Sequence, residues 1–135
     1  MNRAQPPLIL VVDDFADNLE MYVQYLEFTG YRTITATDGI EAIDKAVTDR
    51  PDLIVMDLSL PRMDGWEATR RLKADPRTKQ IPVVALTGHA LEGQSKAAEA
   101  AGCDGYLTKP CLPEDLEAEI GRRLAARRRK RERRR

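Results

Sequence analysis

One histidine, two cysteines and one tryptophan are all that this 135-residue chain has of those residue types. Each scarcity excludes something. Two cysteines cannot make the disulfide framework of a small secreted domain, and Cys103 and Cys111 lack the spacing of a metal site. Both read as reduced, partly buried thiols. No apolar run approaches the roughly 18 residues that a membrane span requires. Met1 to Pro7 lacks the apolar core of a secretion signal, so a cytoplasmic location is expected. A P-loop and a G-x-G-x-x-G stretch are both missing, which argues against a nucleotide or flavin protein.

Charge is abundant but unevenly placed. The chain has 22 basic and 22 acidic residues, yet ten of the basic ones, with Glu132 as the only acid, follow Gly121. Met1–Gly121 therefore holds 12 basic and 21 acidic residues, a formal charge of −9. The expected organisation is one acidic domain over residues 1–124 and a basic C-terminal tail over 125–135. Apolar spacing stops at Leu124, so the tail reads as a solvated helix extension or a frayed end. It has no aromatic residue, so contact with DNA would be nonspecific and salt-sensitive; docking on an acidic protein is the second choice.

Five short apolar runs recur at Leu8–Val12, Tyr31–Ala36, Leu53–Met56, Ile81–Leu86 and Tyr106–Leu107. Most lack alternation, which fits strands buried on both faces of a parallel sheet. Helical stripes lie between them: Leu19, Tyr22, Val23 and Leu26; Ile40, Ile43 and Val47; Leu116, Ile120 and Leu124. Asp38 with Glu41, and Asp64 with Glu67, have capping-box spacing. Gly30 and Gly102 stand where the first and the Ala-rich fourth helix should stop, and Pro113 suits the first turn of the fifth. Strand–helix alternation repeated five times predicts an α/β fold with an open parallel sheet.

Polar residues interrupt the apolar runs at their C-terminal ends. The first run ends in Asp13 and Asp14, the third in Asp57, the fourth in Thr87, and the last at Thr108, Lys109 and Pro110. In a parallel sheet these ends share one edge, where open α/β folds bind ligands. Three clustered carboxylates repel one another unless a cation neutralises them, and hard oxygen ligands suit Mg²⁺. A neutralised cluster lets one carboxylate act as a nucleophile, while Lys109 and the Thr87 hydroxyl can stabilise a phosphoryl group in transfer. The set suits phosphoryl transfer to an aspartate.

Four motifs, VVDD at Val11–Asp14, MDLSLPRMDG around Asp57, ALTGHA around Thr87 and YLTKP at Tyr106–Pro110, resemble bacterial two-component response-regulator receiver domains of the stand-alone, chemotaxis-regulator-like kind. The resemblance spans about Leu8 to Leu124. It implies a flavodoxin-like (βα)5 sandwich with strand order 2-1-3-4-5 and a cis Lys109–Pro110 peptide. It makes Asp57 the phosphoacceptor, with Asp13, Asp14, Asp57 and the Ser59 backbone carbonyl holding Mg²⁺. Thr87 and Lys109 would contact the phosphoryl group, and Tyr106 would be the aromatic switch moving with Thr87. The implied donor is a sensor histidine kinase or histidine phosphotransfer protein. The implied output is a protein target on the face of the fourth helix, fifth strand and fifth helix, or onward transfer in a phosphorelay. Phosphorylation-dependent dimerisation is left open. On this reading the chain is a signalling module that catalyses its own Mg²⁺-dependent phosphorylation and dephosphorylation, and is not otherwise an enzyme.

Other readings fit less well. A hydrolase with an aspartate nucleophile wants a second acid two residues on, where this chain has Ser59. A DNA-binding regulator lacks room for a helix-turn-helix unit. A scaffold that had lost phosphorylation would not need five intact site residues. His89 reads as a solvated loop histidine, Trp66 as helix packing, and Met56 and Met63 as core and loop residues. Asp13 or Asp14 could in addition cap the first helix.

Overall fold

A computed structural model describes residues 5–58, 60, 63–88 and 101–133. Five strands alternate with helices: β1 (Leu8–Val12), α1 (Ala16–Phe28), β2 (Arg32–Ala36), α2 (Gly39–Asp49), β3 (Leu53–Asp57), α3 (Gly65–Ala74), β4 (Val83–Thr87), β5 (Gly105–Thr108) and a C-terminal helix (Pro113–Arg133). The expected fourth helix falls in 89–100, outside the described residues, although Ala101 is helical. The strands form one parallel sheet in the order β2-β1-β3-β4-β5. No described helix is long and apolar enough to cross a membrane.

The missing alternation in the strand sequences has its cause in the layers. On β1, Ile9 and Val11 face one side with Leu53, Val55, Val84 and Leu86, against Tyr22 and Leu26 of α1 and Leu116 and Ile120 of the C-terminal helix. Leu10 and Val12 face the other side with Ile54, Met56, Val83 and Ala85, against Ala42 and Ala46 of α2 and Ala68 and Leu72 of α3. A central strand covered on both faces gains from apolar side chains at every position, each worth about 1.5–3 kcal/mol when fully buried.

Helix α2 departs from the expected stripe. Ile40 is 41% exposed and Ile43 only partly buried, while Gly39, Ala42 and Ala46 form the buried line. Hydropathy alone predicts the large side chains inward. Close approach decides otherwise: the Gly39 N–H donates to the Met63 carbonyl at 3.2 Å, and a Cβ at Gly39 would collide with that oxygen. Small residues let the helix lie tight against its neighbours.

In both expected caps the aspartate side chain accepts as predicted, while the glutamate bonds elsewhere than the cap N–H. Asp38 accepts the Glu41 N–H at 2.8 Å, and Glu41 reaches back to the Thr37 N–H at 2.8 Å. Asp64 accepts the Glu67 N–H at 2.9 Å, but Glu67 turns to Arg70 and Arg71 instead of its own cap. Helix α1 is a correction. Phe15, not Asp13 or Asp14, is its N-cap, and no side chain caps it. Asp13 accepts the Phe15 N–H at 2.9 Å one step earlier, bracing the turn rather than the helix.

Candidate functional site

Strand order reverses between β1 and β3: the chain moves from β1 outward to β2, then returns past β1 to build β3, β4 and β5. A crevice opens at the carboxyl ends of the strands flanking such a reversal. Asp13 follows β1 and Asp57 ends β3, so two of the predicted carboxylates stand on either side of that point.

Each is held by its element. Asp13 extends the β1–β2 ladder by donating its N–H to the Ala36 carbonyl at 3.1 Å. Its carboxylate accepts from the Phe15 N–H at 2.9 Å and the Asn18 amide at 3.4 Å, so one of its oxygens is fixed by the turn. Asp57 is a strand residue with only 2% of its surface exposed. Gly65, the first residue of α3, packs directly on the Asp57 backbone; a Cβ there would run into the Asp57 carbonyl oxygen. The glycine eight positions after Asp57 thus lets α3 come close enough to support the site. Asp14 is exposed, and one carboxylate oxygen from each of Asp13, Asp14 and Asp57 lies within 4.8 Å of the others.

Lys109 closes the group from β5. Its ammonium is 3.0 Å from Asp57 Oδ2 and 3.7 Å from Asp13 Oδ2. Burial pushes its pKa down, but the Asp57 hydrogen bond and the charges of Asp57, Asp13 and Asp14 outweigh that, so the net shift is upward. Lys109 is therefore firmly charged at neutral pH. Its N–H donates to the Thr87 carbonyl at 2.7 Å, tying the end of β5 to the end of β4. The peptide that follows, Lys109–Pro110, is cis as expected. Thr87 is nearly buried at the end of β4, and Tyr106, beside Ala85 in the β4–β5 ladder, is 41% exposed. Ser59 and His89 lie outside the described residues.

Three carboxylates against one ammonium leave a net of two negative charges in a small volume. A divalent cation with oxygen preference matches that deficit, and Asp13, Asp14 and Asp57 offer the hard ligands that Mg²⁺ takes. The donor set fits the ion chemically.

Tyr22 belongs to the site's support, and its role was not visible in an apolar stripe. Its hydroxyl leaves the core to donate to the Cys111 carbonyl at 3.1 Å, pinning the segment after Lys109 to α1. Burial first, then the charges of Cys111, Asp13 and Asp57, push its pKa up to about 12. Cys103 and Cys111 are free thiols, and burial raises both, Cys103 to about 11. Neither is poised as a nucleophile. Trp66 and Met63 pack partly buried against the core, and Met56 lies within it.

The family model described as "Response regulator receiver domain" matches residues 9–121. A polar-differentiation response regulator DivK from Brucella anthropi is 39% identical over 105 residues, covering 78% of this chain and 85% of that protein. A response regulator structure from Chloroflexus aurantiacus superposes with a TM-score of 0.85 at 32% identity, covering 90% of this chain and 99% of that one. The receiver domain of a Pseudomonas aeruginosa sensor histidine kinase, solved with magnesium coordinated in its active-site cleft, gives 0.82 at 35% identity, covering 89% and 98%.

Proposed function

Because the chain belongs to the response regulator receiver domain family, we propose that Asp57 is its phosphoacceptor and the carboxyl edge of the sheet its phosphoryl-transfer site. The observation that carries this is the Lys109 ammonium held 3.0 Å from Asp57 and 3.7 Å from Asp13, with Asp14 alongside. An Asp57 carboxylate oxygen attacks the phosphorus of a phosphohistidine, the P–N bond breaks, and the electron pair leaves with the imidazole. The product is an acyl phosphate on Asp57. Asp13, Asp14, Asp57 and the Ser59 carbonyl would hold Mg²⁺, which supplies charge neutralisation for the incoming phosphoryl group.

The chain's own residues do the rest. Asp13, braced by the Phe15 N–H, keeps its second oxygen on the crevice side. Lys109 exchanges its Asp57 contact for a phosphoryl oxygen, and the Thr87 hydroxyl takes another. The domain is then a catalyst of its own phosphorylation, and hydrolysis of the acyl phosphate by water returns Asp57.

Phosphorylation shifts a two-state equilibrium in which Thr87 moves toward the phosphoryl group and Tyr106, exposed in this structure, turns inward. The donor is a sensor histidine kinase or histidine phosphotransfer protein. The readout is a protein target on the fourth-helix, fifth-strand and fifth-helix face, onward transfer in a relay, or a dimer formed on phosphorylation. The reading places residues 1–124 as the receiver, 125–135 as the tail, and the protein in the cytoplasm.

Incubation with Mg²⁺ and acetyl phosphate, followed by intact mass, tests the reading. One added phosphoryl group on the wild type and none on Asp57→Asn is the expected result. Uptake by the variant at the same level would overturn the acceptor assignment.

A further inference from the structure

The basic residues from Arg122 to Arg133 extend the C-terminal helix. The C-terminal helix runs unbroken to Arg133, and Arg127 donates through Nη1 to the Asp52 carbonyl at 2.7 Å, just before β3 begins. Its last turns therefore pass the amino edge of the sheet, opposite the Asp57 crevice. There Arg127 and Arg131, one turn apart, line a cavity of about 360 Å³ with Arg50 at the end of α2 and Arg77 before β4. Arg77 is paired with Asp75 at 2.8 Å, whereas no carboxylate lies within ion-pair distance of Arg50, Arg127 or Arg131 among the described residues. Burial first, then the neighbouring Arg131 charge, lower the Arg127 pKa, and the more distant Asp52 and Asp104 carboxylates offset this only in part.

The remaining charges point elsewhere around the helix. Residues 127–133 read RRRKRER, with no apolar side chain. At about 100° per residue these cations encircle the helix instead of forming a stripe. Arg128, Arg129, Lys130 and Arg133 are exposed.

The occupant follows from what this surface lacks. A packed protein interface centres on apolar contacts, and insertion of a helix into a lipid surface uses an apolar face. Neither is offered over these two turns. Repeating phosphates suit arginine forks, and the solvent side of these turns presents several exposed cations at once. The rest of the domain, with its charge of −9 over Met1–Gly121, would be repelled, so contact is confined to this pole.

We propose that the amino-edge pole, built from Arg50, Arg127, Arg131 and the exposed cations of the last two turns, binds the phosphate backbone of duplex nucleic acid without reading its sequence. The proposal does not depend on the phosphoacceptor reading.

Fluorescence anisotropy of the full chain with two unrelated labelled DNA duplexes, titrated between about 25 and 200 mM salt, tests it. Equal affinity for the two duplexes and a steep loss with salt are expected. Replacing Arg128, Arg129 and Arg131 together by Gln should weaken binding at least about tenfold and flatten the log–log salt slope by about 2–3. Circular dichroism shows whether the triple variant keeps its fold. Undetectable binding at low salt, or a folded triple variant that binds like the wild type, overturns the proposal. So does tighter binding to phosphatidylglycerol vesicles or to polyglutamate than to the duplex, which would assign the pole to a membrane or an acidic protein.

Discussion

The two edges of the sheet hold charge in opposite ways. At the carboxyl edge, Asp13 and Asp57 are buried, fixed by strand ends and turns, and share one ammonium. At the amino edge, Arg50, Arg127 and Arg131 gather around an open cavity, and most of the neighbouring cations are exposed on a helix. The first arrangement fixes individual oxygen atoms, which chemistry on one phosphorus atom needs. The second concentrates charge without fixing atoms, which suits a diffuse polyanion. Position along the same strands thus separates the proposed phosphoryl-transfer site from the proposed polyanion-binding pole.

This contrast can be broken from either side. The largest effect is expected from Lys109→Gln: loss of a charged phosphoryl contact should slow phosphorylation by acetyl phosphate about 100-fold. Duplex binding should stay unchanged in the same protein. A rate near wild type would show that Lys109 only balances charge in the resting site.

Next comes Gly65→Ala, which forces a Cβ against the Asp57 carbonyl oxygen. About 1–3 kcal/mol of stability should be lost in urea unfolding, with slower phosphorylation because Asp57 shifts. A variant of unchanged stability would mean that α3 can withdraw without cost.

Tyr22→Phe sharpens the comparison through pH. At pH 7 the lost bond to Cys111 should cost about 1 kcal/mol. The fold holds the Tyr22 hydroxyl protonated up to about 12, above the ordinary value of 10.0. The stability this hydroxyl contributes is therefore complete below pH 10 and is lost as pH rises toward 12. The gap between wild type and variant, measured by denaturation at several pH values, should narrow over that window. A constant gap would place Tyr22 elsewhere.

The smallest effect is at the amino edge. Arg127→Ala removes one bond to the Asp52 carbonyl and should cost no more than about 1 kcal/mol, with phosphorylation unchanged. A larger loss of melting temperature would show that the last turns are part of the core.

The strands and the site could be read from sequence for the same reason. A strand covered on both faces shows an unbroken apolar run, and Asp13, Asp57, Thr87 and Lys109 mark where each run stops. Distances between those ends required the fold, yet the shared edge followed from parallel order alone. What escaped sequence reading depends on closeness rather than hydropathy. Ala42 and Ala46 line α2 because the helix packs tightly, so Ile40 is left outside. Phe15 rather than an aspartate caps α1 because the Asp13 carboxylate is committed to the turn before it. Arg127 carries no sign of its partner, a backbone carbonyl 75 residues away.

The most direct test of the central claim is to trap the acyl phosphate. The protein would be phosphorylated with acetyl phosphate and Mg²⁺ and reduced with borohydride, which converts an aspartyl phosphate to homoserine. Peptide mass mapping then locates the change. Homoserine at position 57 alone is the predicted result. Homoserine at position 13 or 14, or stable phosphate on His89 with Asp57 untouched, would contradict the account.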